Sequence, residues 1–319
     1  MDCLLYTSFE NDPDCQAAVG SQWTEDARSA QELIIQADER MYADKKRYYY
    51  NHPSSNRYRH QSDDVLGLTA PGALERQLKD EKFMVYLQPK VRLDDKSTVG
   101  AEALIRYRAS DDSILLPGHF LPLLEDSDLI SQVDFYVFEI ACSKVKQWIG
   151  EGRSTVPVSV NFSRNTLAQP GFIERLITIA DKYQVPRQWL EIEITESVET
   201  MADIDVKALI AAVHDAGFTV SVDDFGTHYA NLSLLSAVDF DVLKIDKSLV
   251  DDIVHNEKTR SLLGALAQVC KQMGTDMIAE GIESQEQADV LRGLGIAKAQ
   301  GFLFSKPVPL SVYETQFLK

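Results

Sequence analysis

The sequence predicts an α/β fold over residues 71–319, a (β/α)8 TIM-like barrel, and three observations lead there. Short apolar runs alternate with amphipathic helical stretches at a spacing of roughly 20–40 residues, the pattern of strands joined by crossover helices. Eight such runs can be placed, at 83–88, 97–104, 155–161, 189–195, 217–223, 241–246, 275–280 and 299–304, a count that favours a closed barrel with parallel strands over an open doubly wound sheet. No GxGxxG follows any of them, which weighs against a dinucleotide-binding sheet. At 319 residues the chain is long for one compact domain but suits a barrel with a short extra segment.

Taken in order, residues 1–50 read differently from the rest. Ser29-Ala-Gln-Glu32 has the form of a capping box and opens a helix with Leu33, Ile34, Ala37 and Met41 on one face. Residues 51–70 are polar and rich in Pro, Ser and Asn, which predicts a partly helical linker. Beyond it, a helix near 203–216 carries Val206, Leu209, Ile210 and Val213 on one face and ends at Gly217. A helix near 257–273 turns Leu262, Leu263, Leu266, Val269, Cys270 and Met273 inward and ends at Gly274. Ser284-Gln-Glu-Gln287 caps a further helix carrying Ala288, Leu291 and Leu294.

Composition narrows the function. No apolar stretch approaches the ~20 residues of a membrane helix, and no basic-then-apolar leader opens the chain. The four cysteines (Cys3, Cys15, Cys142, Cys270) are far apart with no CxxC, which argues against a zinc ribbon or a disulfide framework and fits a reducing cytosol. A cytoplasmic location is therefore expected, though a longer parent protein could be membrane-anchored. The net charge of −17 repels nucleic-acid polymers, so an anionic ligand must be met locally by cations.

The strand ends carry the chemistry. Side chains alternate along a strand. In Leu190–Thr195 the apolar 190, 192 and 194 face the helices, leaving Glu191, Glu193 and Thr195 on the barrel interior. The same alternation sends Ser159 and Asn161 inward from 156–161, and Ser221 and Asp223 inward from 218–223. Glu102 and the adjacent pair Asp223-Asp224 complete a set of oxygen ligands at the C-terminal end, where barrel enzymes place their active sites. An all-oxygen set implies hard cations, Mg²⁺ or Mn²⁺, rather than thiolate-bound zinc. Adjacent aspartates can serve two ions, with Asp223 bridging, and a two-ion site suits hydrolysis of a phosphate ester through activated water.

These residues lie in a series of motifs: Gln88-Pro89, Glu102-Ala103-Leu104 followed by Arg106, Asn161, Glu193-Ile-Thr-Glu196-Ser, Asp223-Asp-Phe-Gly-Thr227, Leu243-Lys-Ile-Asp246, Ala279-Glu-Gly-Ile-Glu283 and Gln300-Gly-Phe-Leu-Phe-Ser305. In that order they resemble the EAL domain family of cyclic di-GMP phosphodiesterases over essentially all of 71–319. The segment Ala37–Arg47, with Ala18–Trp23 before it, resembles the C-terminal end of a GGDEF (diguanylate cyclase) domain. It lacks the GGDEF signature, so 1–50 are expected to be a remnant without cyclase activity, the tail of a longer protein.

The resemblance implies roles residue by residue. Glu102, Asn161, Glu193 and Asp223 would hold the first ion, and Asp223, Asp224 and Glu280 the second. Glu102, Asp223, Asp224, Lys244 and Glu280 would form the catalytic set, with Lys244 contacting the attacking water or the scissile phosphate. Gln88, Leu104, Arg106, Asn161, Asp224 and Gln300 would contact substrate. Glu196 would brace the loop after Asp224, with Glu283 in a similar supporting role. The implied reaction opens cyclic di-GMP to linear pGpG, and the implied assembly is a homodimer. Two departures stand out. His228 occupies a position where the family pattern has glycine, which bears on the loop after Asp224, and Phe302 replaces a frequent tyrosine. The alternatives are a domain that binds the dinucleotide without cleaving it, or a protein-interaction module using the acidic surface.

Overall fold

The computed structural model describes residues 56–195, 205–226, 235 and 238–318. The expectations for 1–50, for Glu196 and for His228 lie outside the described residues. The described chain forms two compact units: the helix Asn56–Gly67 as far as Leu66 together with Ala109–Asp112, and the segments from Gly67 to Arg108 and from Ser113 onward. In the first, Asp64 Oδ2 accepts the Ser110 N–H at 2.6 Å. Twelve helical residues thus occupy much of the expected linker.

The second unit is the barrel. Its strands are β1 (Phe83–Arg92), β2 (Thr98–Arg108), β3 (Ile114–Leu115), β4 (Val158–Asn161), β5 (Leu190–Thr195), β6 (Thr219–Phe225), β7 (Val242–Ile245), β8 (Asp276–Ala279), β9 (Lys298–Ala299) and β10 (Val308–Pro309). Pairing runs β1-β9-β8-β7-β6-β5-β4-β2, and a β1–β2 ladder closes the ring; β3 and β10 flank β2 and β1. A strand ring that closes on itself leaves no long free edge.

The expectation of uniformly parallel strands is corrected at β1, which is antiparallel to both β2 and β9. The cause is local. Only Leu93–Ser97 separates β1 from β2, and a parallel crossover needs a dozen or more residues. A tight turn forms instead, with Lys96 N–H donating to Arg92 O at 2.9 Å and Lys96 at φ 57°. The last predicted strand, 299–304, shrinks to Lys298–Ala299 and gives way to a turn. Gly301 accounts for this: a Cβ there would collide with the backbone of Ile282, so the chain leaves the ladder where only glycine fits.

The outer helices follow the sequence closely. The Glu257–Met273 helix ends at Gly274 with φ 78°, and the Ser284–Gln287 capping box is formed. Its inward face is narrower than expected: Leu263, Leu266, Ala267 and Cys270 are buried, whereas Leu262, Val269 and Met273 are exposed. The Val206–Asp215 helix is capped by Asp205, whose side chain accepts from Ala208 N–H at 3.0 Å. At its far end the half-buried His214 pairs with Asp241 at 2.9 Å. The long helix Ile130–Gly150 packs Phe138 against Phe162, the residue that follows β4 by one, at 5.8 Å.

Candidate active site

Inside the barrel the alternation read from the sequence holds. Ile192, Val160, Val220 and Val222 are buried toward the helices, and Ser159, Glu191, Glu193, Ser221 and Asp223 are buried toward the interior. Parallel register sets Asn161 beside Glu193, and Thr195 beside Asp223. Ladder bonds continue one residue beyond β8 and β9. Glu280 N–H donates to Ile245 O at 2.9 Å and Gln300 N–H to Ala279 O at 2.8 Å, which fixes both residues at the C-terminal rim.

Lys244, in β7, is the centre of this layer and is fully buried. Its Nζ lies 3.1 Å from Asp223 Oδ1, 2.8 Å from Glu280 Oε1 and 3.8 Å from Glu102 Oε1, and it also pairs closely with Glu193 Oε1. Four carboxylates thus share one ammonium. An uncompensated buried charge is costly, so the group protonation states are strongly biased. Burial alone would deprotonate Lys244, but the surrounding carboxylates outweigh it and hold the ammonium well above its ordinary range. Burial also works against ionisation of Glu193, yet Lys244 and Lys90 bring its carboxyl down to about 2. Asp223 is pushed well up by burial and by Glu193, Glu280 and Glu102, despite the opposing Lys244. Burial raises Glu280 to about 7, with Glu102 and Glu193 adding to it and Lys244 opposing.

A polar network surrounds the carboxylates. Asn161 Nδ2 donates to Glu102 Oε1 at 2.9 Å. Gln300 Nε2 donates to Glu102 Oε2 and, at 3.0 Å, to Gln88 Oε1, while Gln88 Nε2 donates to Ser305 O at 3.0 Å. Toward the mouth, Leu104 is half-buried and stands opposite Tyr86. Arg106 donates from Nη1 to Ile105 O at 2.8 Å, with its guanidinium 5.5 Å from the Tyr86 ring centroid.

Asp224 takes the left-handed conformation, φ 60°, and its N–H donates to Asp223 Oδ1 at 2.8 Å. A non-glycine residue in that region is uncommon, Asp being one of the better tolerated, and such strain concentrates at functional sites. Gly226, at φ 102°, follows where a Cβ would strike Leu249. Glu283 stands apart from the interior: it is exposed and pairs with Lys247, tying the segment after β8 to the one after β7.

Glu102, Glu193 and Asp223 turn carboxylate oxygens to within 4.8 Å of one another, close enough for one cation to bridge. Glu193 Oε2 is buried with no hydrogen-bond partner, as is Gln300 Oε1. Buried acceptors are normally satisfied, and an orphaned carboxylate oxygen within an oxygen-only cluster fits a hard divalent cation.

A second ion pair lies one layer deeper and was not selected from the sequence as part of a site. Lys90 Nζ contacts Glu191 Oε1 at 2.7 Å, with both side chains buried. The available signal was a lysine inside the apolar run 83–91 at an inward position. Lys244, implied by the family resemblance, likewise sits within an apolar run, Val242-Leu-Lys-Ile.

The comparisons agree with this architecture. The family model for the EAL domain matches residues 72–307. The signaling protein YkoW of Bacillus subtilis is 32% identical over 299 residues, 92% of this chain and 36% of that protein. MucR of Pseudomonas aeruginosa, a bifunctional diguanylate cyclase/cyclic di-GMP phosphodiesterase, is 29% identical over 89% of this chain and 41% of its own length. The chain therefore spans less than half the length of these curated relatives. Among solved structures, the PaMucR phosphodiesterase in complex with c-di-GMP superposes with a TM-score of 0.71 at 28% identity, covering 78% of this chain and 98% of that one. The EAL domain of Mycobacterium smegmatis DcpA gives 0.62 at 29% identity, covering 73% and 95%. On the strength of the family match and of YkoW, this protein belongs to the EAL domain family.

Proposed function

We propose that the chain is a metal-dependent phosphodiesterase that hydrolyses cyclic di-GMP to linear pGpG. The observation that carries this reading is Lys244, fully buried at the strand ends and shared by four carboxylates. The names of MucR and NbdA, and the c-di-GMP complex of PaMucR, support the choice of substrate.

In this reading Glu102, Asn161, Glu193 and Asp223 hold one Mg²⁺ or Mn²⁺, and Asp223, Asp224 and Glu280 hold a second. When bound, such a pair of ions supplies a water nucleophile at neutral pH and stabilises charge on the phosphoryl oxygens. The chain's own residues do the rest. Lys244 Nζ orients the attacking oxygen or the scissile phosphate. Glu280, whose Oε1 lies 2.8 Å from Lys244 Nζ, shapes with it the hydrogen bonds of that attacking water. The water oxygen bonds to phosphorus, the P–O3′ bond breaks, and the released 3′ oxygen takes up a proton. Gln88, Leu104, Arg106 and Gln300 hold the dinucleotide, Arg106 facing its phosphates as a charged donor in an otherwise acidic protein. Glu196 and Glu283 brace the rim loops, and His228 acts on the loop after Asp224.

The same reading carries a homodimer, a cytoplasmic location and a GGDEF remnant over 1–50, ahead of a linker over 51–70 and the EAL domain from 71. Cys142 and Cys270 are both free and buried, in keeping with a reducing compartment. The match to MucR spans 89% of the chain and so runs beyond 72–307, in keeping with a cyclase-like origin for the N-terminal segment. Among the described residues no helix is long and apolar enough to cross a membrane.

The test is direct. The protein is incubated with cyclic di-GMP and Mn²⁺, and the nucleotides are separated. Appearance of pGpG, abolished by chelation, is expected. Bound but uncleaved dinucleotide would replace the hydrolase with a receptor.

A further inference from the structure

The ion pair Lys90–Glu191 lies directly beneath the carboxylate layer. Glu191 is two residues before Glu193 on the same face of β5, so the two side chains point into the barrel one above the other. Lys90 reaches them from β1, where Gly100 stands opposite; a Cβ on Gly100 would come within 3.2 Å of Lys90 Cδ, so glycine makes room for the lysine stem. Lys90 Nζ is 2.7 Å from Glu191 Oε1 and 3.9 Å from Glu193 Oε2. The first is a hydrogen bond; the second is not, and Glu193 Oε2 has no hydrogen-bond partner at all.

The ammonium is therefore shared unequally between two carboxylates. It helps keep Glu193 charged from below without occupying the lone pairs of Oε2. Without Glu191, the Glu193 oxygen would become the natural partner of a buried ammonium, because an unpaired buried charge seeks any counter-ion within reach. The shift needed is small, since a 3.9 Å contact need close only to hydrogen-bond length.

We infer that Glu191 is a positioning residue that holds Lys90 off Glu193, so that Glu193 Oε2 stays free for a divalent cation. This rests on the proposed role of Glu193 as a metal ligand and deepens it. The Lys90–Glu191 pair lies at hydrogen-bond length, whereas Lys90 and Glu193 Oε2 do not. Its function is geometric: it decides which oxygen the ammonium occupies.

The test is Mn²⁺ affinity by titration calorimetry in the full chain, together with thermal unfolding, for four proteins: the parent, Glu191→Met, Glu191→Gln, and Lys90→Met/Glu191→Met. Glu191→Met is expected to weaken Mn²⁺ binding by roughly ten- to hundredfold, the range for loss of a residue that orients a ligand. Glu191→Gln retains an acceptor and should fall between Glu191→Met and the parent. The double variant removes both charges. Replacing a buried ion pair by apolar side chains is commonly neutral or stabilising, so it should fold and bind Mn²⁺ within about threefold of the parent. If Glu191→Met does not fold, Glu191→Gln and the double variant still decide the matter. Unchanged affinity in Glu191→Gln, or a folded double variant that stays as weak as the single ones, overturns the inference. A parent chain that binds no Mn²⁺ overturns the metal reading itself, which separates the two failures.

Discussion

Asp134, in the helix Ile130–Gly150, and Glu280, just beyond β8, are both buried carboxyls pushed up by loss of water, to about 6 and about 7. Their surroundings differ in kind. Asp134 Oδ2 accepts the Ser163 N–H at 2.9 Å and the Thr166 hydroxyl at 2.6 Å, and Ser163 in turn caps the short helix Arg164–Leu167. That oxygen fastens the segment that follows Asn161. Glu280 shares Lys244 with three other carboxylates, and Glu193 Oε2 beside it is left without a hydrogen bond. A satisfied buried acid is a structural fastening; an unsatisfied cluster is held together by the surrounding fold against its own repulsion, and natural proteins retain such clusters where function needs them.

Substitutions can break this contrast. The largest effect is expected for Glu102→Gln. The amide keeps one acceptor oxygen for Asn161 or Gln300, turns an NH2 toward the other donor and removes the negative charge of the proposed ligand, so turnover of cyclic di-GMP should fall on the order of a thousandfold. Because one like charge leaves a crowded cluster, the melting temperature should stay level or rise. A variant that melts lower and retains turnover would put Glu102 on the structural side of the comparison.

Asp134→Ala should do the reverse. It strands the Ser163 N–H and leaves the Thr166 hydroxyl only Ser163 Oγ, at 2.8 Å, and a loss of roughly 2–3 kcal/mol in urea unfolding is expected. Mn²⁺ affinity of the folded fraction should change little. A stability change near zero would show that the Asp134 hydrogen bonds fasten nothing.

Asp134→Asn sharpens the comparison through pH. The folded carboxyl titrates at about 6, above its ordinary 3.8, so the folded state binds the proton more tightly than the unfolded chain. Its contribution to stability is thus fully present below 3.8, declines as pH rises to about 6, and is flat above that. Two pH units of displacement correspond to at most about 3 kcal/mol. The asparagine variant should lose this downward slope between pH 4 and 6, measured by denaturant unfolding across that interval. An unchanged slope would assign the pH dependence to another group.

Arg106→Ala tests the mouth of the site. On its proposed role of facing phosphate, losing this cation should raise KM about tenfold and leave kcat within a few-fold. An unaltered KM would remove Arg106 from substrate contact.

Much of the architecture was legible because it is written in local patterns. Period-two alternation in Leu190–Thr195 and Phe218–Asp223 placed Glu193 and Asp223 inward, and the capping box at Ser284 fixed a helix start. The direction of β1 is also encoded locally, in the shortness of Leu93–Ser97, which no parallel crossover can span. The end of β9 did not lie in its own residues: Gln300–Phe304 has strand-like composition, and only the approach of the Ile282 backbone to Gly301 breaks the ladder. Exposure of Leu262, Val269 and Met273 was likewise undecided by periodicity, which defines a face but not how much of it the neighbours cover.

Local patterns carry the barrel, the strand-end carboxylates and the membership that their ordered motifs announce, because alternation, caps and motif spacing act over a few residues. Only the tertiary structure decided that Lys244 is shared by four carboxylates, that Glu193 Oε2 is left free, and that Lys90 crosses from β1 to Glu191 rather than to Glu193. Those choices join residues about a hundred positions apart, such as Lys90 and Glu191, and turn on differences of an ångström inside a closed barrel. Electrostatic energy in a dry interior is steep enough for such small differences to set which group holds which, and no local pattern carries that information.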